Sequence, residues 1–565
     1  MIPDRFREHS AKLLAGNISP AEVYSAGELT QPADFPRKAM TASLAADRVF
    51  GTNVPESRGH SWRTIVLVFL IAIAARSAHL TRPLLGNFAT KNAAYGMIAR
   101  NFARGNAPLW RPTVDVIING NAGAHLLEVP LSAYLAGWGW DTLGGSLDVW
   151  GRALTVLQSA LAAALLVCLG GRWFGRQAGM AAGVAYALSP VSIIYGQSFM
   201  LEASVTFFAV AAMLCLDIWR SKQRGVVWLA LCGLTLAALF LTKIYMLMIL
   251  WPIAWLAYRG KTSAAEETEG GKQQEVHTEG TRKADVSPRR RLLLVGIVAF
   301  LAVLPSAVWL AYVYDASAAN EENSHIFYSL RNSAAAHAWP PPILRSAPFY
   351  QRLIDDFAGI VLTPIGLAFL VLGLASKRWL VLIPWFGCSL VLLLALPLKF
   401  HEMNYYFVPI LPPFCLLIGI GWQNLAQHAL FRRPLWQASL VAVVLLFSAR
   451  YAARPAFMTP AEDQSVVAAA DAVREVTSAE DTVATLHGTS IDLLYYCDRR
   501  GWAISVHDPD LQANVAKRRA DGASLLVIAQ PQSLPESTLA SLKSDYPVLR
   551  EVPGYVILRL AGEDE

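Results

Sequence analysis

Apolar residues along this chain come in long blocks separated by short charged connectors. "TIVLVFLIAIAA" follows Arg63 and "LLLVGIVAFLAVLPSAVWLAYV" follows Arg291. Runs of about 18 or more apolar residues suffice to cross a bilayer as a helix. In hydrocarbon such a segment must satisfy its own backbone hydrogen bonds, which a helix does. Eleven spans are predicted, at 63–80, 147–169, 176–195, 202–218, 226–241, 243–258, 292–313, 358–375, 378–397, 404–421 and 433–450. The expected fold class is a polytopic α-helical membrane protein of about 11 transmembrane helices.

The connectors sort by charge. "RWFGR" (172–176), "WRSKQR" (219–224), the segment 259–291 ending in "RRR", "SKR" (376–378) and "FRR" (431–433) are rich in Lys and Arg. Counting spans puts all five on the side of the N-terminus, which the positive-inside rule makes cytoplasmic. The first sixty residues, polar and without the apolar core of a signal peptide, form a cytoplasmic N-terminal segment. Residues 61–454 form the transmembrane domain, and its 259–291 loop, rich in Glu, Gly, Lys and Thr, reads as disordered. The opposite face carries residues 81–146, the "YGQSFMLE" turn, the loop 314–357 and the "KFHEMNYY" turn. "NAAYGMIARNFARG" and "VPLSAYLAGWGW" predict amphipathic helices in the first of these.

Past the last span the pattern changes. "TVATLH", "WAISV", "LLVIAQ" and "YVILRL" read as short buried strands, with helical patterns such as "AEDQSVVAAADAVREV" between them. Residues 455–565 therefore predict a small C-terminal α/β domain outside the cytoplasm.

Composition adds exclusions. Of 565 residues 54% are hydrophobic and 16% charged, against roughly 25% charged in soluble domains. The net charge is +6. Five of the six cysteines sit inside apolar runs, and no spacing suggests a disulfide framework or metal site. There is no Walker A sequence, no internal repeat of the transporter kind and no nucleic-acid module.

Charges at span ends are expensive near hydrocarbon and so are functional candidates. The outer face offers Lys91, Arg100, Asp115, His125, Glu128, Arg152, Glu202, Lys243, Lys399, His401 and Glu402, drawn from separate segments. Glu128, in "HLLEVPLSAYL", reads either as an interfacial cap or as a charge facing a site, with His125 one turn earlier. Glu202 opens a span, where the helix dipole alone would favour a carboxylate; the functional alternative faces a reaction centre. Lys243 is the lone charge of an apolar hairpin, either snorkelling to the interface or holding a lipid phosphate. Lys399, His401 and Tyr405–Tyr406 crowd one outer turn. Tyrosines belong to interfacial belts, while the cations beside them suit a phosphate leaving group.

Several motifs in register with this topology resemble the GT-C superfamily of polyprenyl-phosphate-sugar-dependent glycosyltransferases, in its bacterial branch similar to protein O-mannosyltransferases and the lipid A aminoarabinose transferase. They are "AYGMIARNFARGNAPLWRP" (94–112), "EVPLSAYL" (128–135), "WGRALTVL" (150–157), "ALSPVSIIYGQSFMLE" (187–202), "LTKIYML" (241–247), "HEMNYYFVPILPP" (401–413) and "LLYYCDRRGW" (493–502). The resemblance spans about residues 60–450.

It implies transfer of a sugar from an isoprenoid phosphate carrier to a lipid, glycan or protein acceptor at the outer face of a bacterial inner membrane, usually with inversion. It further implies that Glu202 matches the family's second outer-face acid, that Lys243 and His401 contact phosphate or carrier, and that Tyr405–Tyr406 line a lipid groove. Lys91 and Arg152 join the candidate carrier contacts. The family's first-loop acid should fall near Lys91, but "FATKNAAY" holds none, and residues 82–114 contain no Asp or Glu. A base must then come from Asp115, the first choice, or from Glu128 or Glu202. No cofactor is demanded, although the family admits a divalent metal. The alternative is a non-catalytic or flippase-like partner in envelope glycan assembly.

Overall fold

The computed structural model describes residues 62–560 apart from 87, 223–224, 260–286, 318–321, 328–340 and 462. The N-terminal segment 1–60 and nearly all of the 259–291 loop lie outside the described residues. Helices α1 (Trp62–Ala74), α2 (Ala89–Ala103) and α3 (Leu131–Leu143) are followed by α4 (Leu147–Phe174), α5 (Arg176–Leu188), α6 (Pro190–Tyr195), α7 (Glu202–Lys222) and α8 (Gly225–Thr242). A 3₁₀ turn, Ile244–Ile249, leads into α9 (Leu250–Tyr258); then come α10 (Pro288–Ala316), α11 (Ala347–Asp356), α12 (Thr363–Leu374), α13 (Ile383–Ala395), α14 (Pro397–Glu402), α15 (Phe407–Ala426) and α16 (Pro434–Phe457).

Every predicted span contains helix, but the number able to cross a membrane alone is smaller than eleven. Among the described residues seven helices are long and apolar enough, or eight if α11–α12, bent by 97°, count as one. The shortfall has local causes. Pro190 has no N–H and its ring displaces the Tyr186 carbonyl, so 176–195 breaks into α5 and α6. Lys243 sits in extended backbone and ends α8. Thr363, a β-branched residue at φ 63°, turns the chain between α11 and α12. Hydropathy records neither the Pro190 nor the Thr363 interruption, while the break at Lys243 falls between the predicted spans 226–241 and 243–258.

A broken helix inside a bundle leaves carbonyls without donors, and one buried arginine supplies them. Arg76 is wholly buried and donates to the carbonyls of Ala72 and Ala187 at 2.9 Å and to Ser192 Oγ at 2.7 Å. It also reaches the Tyr186 carbonyl at 3.4 Å. Gly196 lies flush against it: a Cβ there would stand 2.5 Å from Arg76 Nε.

The first long loop forms both of its expected helices, α2 and α3, and adds a β-hairpin. Between α2 and α3 a hairpin, β1 (Thr113–Ile118) and β2 (Asn121–Leu126), turns through Asn119–Gly120, both at positive φ. Asn-Gly is the favoured pair for such a turn. Helix α2 is buried from Asn92 to Asn101 rather than half exposed, because the C-terminal region covers its outer side. That region runs α17 (Gln464–Val476), β4 (Thr482–Leu486), α18 (Asp492–Cys497), β5 (Arg500–Ile504), α19 (Leu511–Ala520), β6 (Leu525–Ala529), α20 (Glu536–Asp545), β7 (Val548–Val552) and β8 (Tyr555–Arg559). With β3 (Glu322–His325) the strands lie in the order β3-β2-β1-β5-β4-β6-β8-β7. The loop hairpin joins the C-terminal sheet where Val116 pairs with Gly501.

Side chains fix α2 against this cover. Arg100 donates to the Tyr495 carbonyl at 2.9 Å and pairs with Asp498 at 3.1 Å, while Arg104 grips both Asp498 oxygens at 2.8 and 2.7 Å. The Tyr495 and Tyr496 hydroxyls donate to the two oxygens of Asp148 at 2.7 and 2.8 Å. Gly96 must be small, since a Cβ would meet the Tyr495 ring at 2.7 Å.

Replacing Arg76 by Leu strands three buried carbonyls, at about 1–3 kcal/mol for each unsatisfied group. The detergent-purified variant is expected to melt several degrees below wild type. An unchanged melting temperature would show that those carbonyls find donors elsewhere.

Candidate functional site

The α2 helix, pinned from outside, presents its N-terminal half inward. Lys91 and Tyr95, one turn apart, face the outer end of the bundle. There a cavity of about 510 Å³ is lined by Lys91, Glu128, Lys243, Tyr245, Lys399, Tyr405 and Tyr406, with a wall of apolar residues from α8, α10 and α13. Trp309, Leu310 and Leu392 are among these.

Glu128 stands at the centre of the polar group. Its Oε1 accepts from Lys243 Nζ at 3.1 Å and from the Tyr95 hydroxyl. Burial alone would raise this carboxyl, but Lys243 and Lys91 outweigh it and carry Glu128 down to about 2. Burial also opposes the charge on Lys91, and there Glu202 and Glu128 prevail, holding its ammonium above the ordinary value. The Lys91 ammonium lies 4.4 Å from the centre of the Tyr405 ring, a cation–π contact. Tyr405 and Tyr406 stack at 4.8 Å, and Tyr245 extends the aromatic wall at 5.7 Å from Tyr406. Burial lowers Lys399, helped by Lys91 and Lys243 and opposed by Glu402.

Glu202 differs from Glu128. It is 1% exposed, and neither carboxylate oxygen has a hydrogen-bond partner. The charge of Lys91 and the ring of tyrosines 95, 195, 245, 405 and 406 surround it. A buried polar group without a partner is costly and rare, so both oxygens are open to a hydrogen-bond donor. His125 is buried close to Glu128, Lys91 and Lys243; burial pushes its imidazole down to about 4, which leaves it neutral.

The structure thus brings together Lys91, His125, Glu128, Glu202, Lys243, Lys399, Tyr405 and Tyr406. Three other candidates lie elsewhere. Asp115, on β1, accepts from Arg100 at 2.6 Å and Asn101 at 2.9 Å, and helps fasten α2 to the C-terminal cover. Arg152 is buried and donates to the carbonyls of Gln197 at 2.9 Å and Pro83 at 2.8 Å, which ties two outer segments together. His401 points to Phe349, 6.2 Å away, rather than into the cavity. Sequence reasoning missed Tyr95, Tyr245 and Trp309; the spacing of Tyr95, four residues after Lys91, was a readable signal.

A divalent metal finds no ordinary seat: among the described residues no group of three or more His, Cys, Asp or Glu is placed to hold one. Glu128 is occupied by Lys243 and Tyr95.

A helical bundle with a polar cavity at one end, roofed by a structured first loop and a C-terminal α/β cover, is a multi-pass membrane protein whose fold recurs among solved structures. Two solved proteins share it. ArnT from Cupriavidus metallidurans, bound to undecaprenyl phosphate, superposes with a TM-score of 0.61 at 13% identity, over 88% of this chain and 98% of that one; its apo state gives 0.57. The oligosaccharyltransferase AglB from Archaeoglobus fulgidus, in complex with an inhibitory peptide and a dolichol-phosphate, gives 0.50 at 12% identity, over 84% and 70%. No protein-family profile and no curated protein matches the sequence.

Because the Glu128 carboxyl is depressed from 4.5 to about 2, its ionised form adds stability that is complete above about pH 4.5 and lost as pH falls towards 2. The gap in thermal stability between wild type and Glu128→Gln is expected to hold steady from neutral pH to about 5 and to close below that. A gap already closing between about pH 7 and 5 would mean that the lysines do not hold this carboxylate charged.

Proposed function

We propose that this protein is a membrane glycosyltransferase that moves a sugar from a polyprenyl-phosphate carrier to an envelope acceptor at the outer face of a bacterial inner membrane. The observation that carries the reading is the two-faced cavity: Lys91, Lys243 and Lys399 gather on one side and an apolar wall of α8, α10 and α13 lies on the other. A phosphate on an isoprenoid tail has the same two faces. The solved ArnT bound to undecaprenyl phosphate adds support from the same fold.

In this reading the lysines hold the phosphate and take up the charge that develops as the glycosidic C–O bond breaks. The acceptor hydroxyl attacks the anomeric carbon from the opposite side, with inversion. Its proton passes to Glu202, and the electron pair of the broken bond stays on the phosphate oxygen. Glu202 suits the role because both its oxygens are free. Glu128 does not, since it is held near 2 and already accepts from Lys243 and Tyr95; it positions Lys243. Asp115 is spent on Arg100.

The test is sugar transfer by purified protein in liposomes, supplied with radiolabelled polyprenyl-phosphate sugars and envelope extract. Loss of a general base costs about 10²–10⁴ in rate, so Glu202→Gln is expected to fall by that factor while carrier binding persists. Lys243→Met is expected to lose carrier binding as well. Binding by wild type without transfer, across the donor panel, would favour a docking or flippase-like role instead. Neither binding nor transfer would leave the likeness as one of fold alone.

A further inference from the structure

The fastening of α2 converges on one short helix. The Tyr495 carbonyl of α18 accepts from Arg100, and the Tyr495 and Tyr496 hydroxyls donate to Asp148. Asp498, the residue after the helix, takes Arg100 and Arg104. A helix of 6 residues has little stability of its own, so its position depends on what holds its first turn. That hold is a side-chain clasp. Gly488, at φ 54°, turns the chain back after β4. His487 Nδ1 then meets Oδ1 of Asp492, the first residue of α18, at 2.7 Å. Asp492 is 1% exposed. Between them Ser490 Oγ accepts from the Asp492 N–H at 3.3 Å and from the Thr90 hydroxyl at 2.9 Å. Thr90 directly precedes Lys91 on α2.

We infer that His487 is a positioning residue for the carrier site, acting through Asp492 and α18 on Lys91 and Tyr95, and that it makes this site sensitive to pH. This rests on the function proposed above and adds its regulation.

The charged groups that face His487 are Asp492 from α18 and Asp463, which precedes α17. The end of β6 sends the uncharged Gln530, which donates to Asp463 at 3.2 Å, and α2 sends the Thr90 hydroxyl. Burial opposes a charge on the imidazole, but the bond to Asp492 and the fields of both carboxylates prevail and raise His487 above its ordinary value. A hydrogen bond between ionised groups is roughly twice as strong as one between neutral groups. The clasp is therefore complete below about pH 6.5 and loosens as pH rises through the raised value. Its neighbours titrate elsewhere. Burial pushes Tyr495 and Tyr496 well above their ordinary values and Cys497 up to about 12. Burial would raise Asp498, but Arg104 and Arg100 outweigh it and lower it. Among the described residues of this fastening, His487 is the one imidazole.

The test uses full-length protein in nanodiscs between about pH 6 and 9, which spans the histidine range. Amide hydrogen exchange of α2, corrected for the pH dependence of intrinsic exchange, is measured in wild type, His487→Asn and Asp492→Asn. Asparagine at 487 places an uncharged amide where Nδ1 stood, and asparagine at 492 keeps the imidazole without its charged partner. Protection of α2 in wild type is expected to fall by at least about threefold as pH rises, with a flat profile in both variants. Binding of a hexosyl polyprenyl phosphodiester, whose own charge is constant over this range, is expected to weaken in parallel in wild type and to stay level in His487→Asn. A merely structural role would lower protection in the variants at every pH and leave the wild-type slope in place. A flat wild-type profile, or a variant that keeps the wild-type slope, would overturn the inference. If one variant does not fold, the other decides. A pH-dependent α2 without binding of the phosphodiester or of plain undecaprenyl phosphate at any pH would uphold the clasp and overturn the function on which its role rests.

Discussion

The pairing of Lys243 with Glu128, deep under the outer loop, is the interaction on which the rest of the site depends. Two ions taken out of water cost several kcal/mol each, recovered only when geometry and further hydrogen bonds are good. Tyr95 supplies the second bond to the carboxylate, and Lys91 supplies a second field. Removing one member would leave the other charged and alone, at about 3–5 kcal/mol. A bundle that needed only stability would place apolar side chains here. In the function proposed above, it is a receptor kept ready for a further anion.

Holding that receptor in shape falls to parts of the chain far from it in sequence. Lys91 and Tyr95 sit on a short helix that no membrane-spanning segment continues, so its position must be imposed. The C-terminal cover imposes it through Arg100, Arg104 and the tyrosines that grip Asp148. Asp115 and Arg152, which looked like chemistry, belong to this fastening. Arg76 does similar duty inside the bundle, where it ties the end of α1 to the break between α5 and α6.

The helical membrane architecture was legible because apolar blocks are a one-dimensional signal that needs no knowledge of neighbours. The interruptions at Pro190 and Thr363 were not, since hydropathy measures greasiness and not helix continuity. The hairpin at Asn119–Gly120 carried a recognisable turn pair but lay between two helical patterns that drew the reading. Site residues divide the same way. Lys91, Glu128, Glu202 and Lys243 stood out as charges at apolar boundaries. Whether such a charge faces a cavity or a distant partner is decided by tertiary packing: Asp115 meets Arg100, fifteen residues away on another element. Tyr245 and Trp309 gave no warning, being indistinguishable in sequence from an interfacial belt.

A likeness of fold at 13% identity leaves the choice of cavity open, and a second apolar crevice lies between α5, α12 and α15, lined by Met180, Val361 and Cys415. Photo-crosslinking separates the two most directly. A polyprenyl phosphate carrying a diazirine near its phosphate end is bound to the purified protein, irradiated, and the labelled residues are mapped by mass spectrometry. The account predicts labels on Met248, Trp309, Leu310 and Leu392, suppressed by unlabelled undecaprenyl phosphate. Labels on Met180, Val361 or Cys415 with that wall untouched would contradict it.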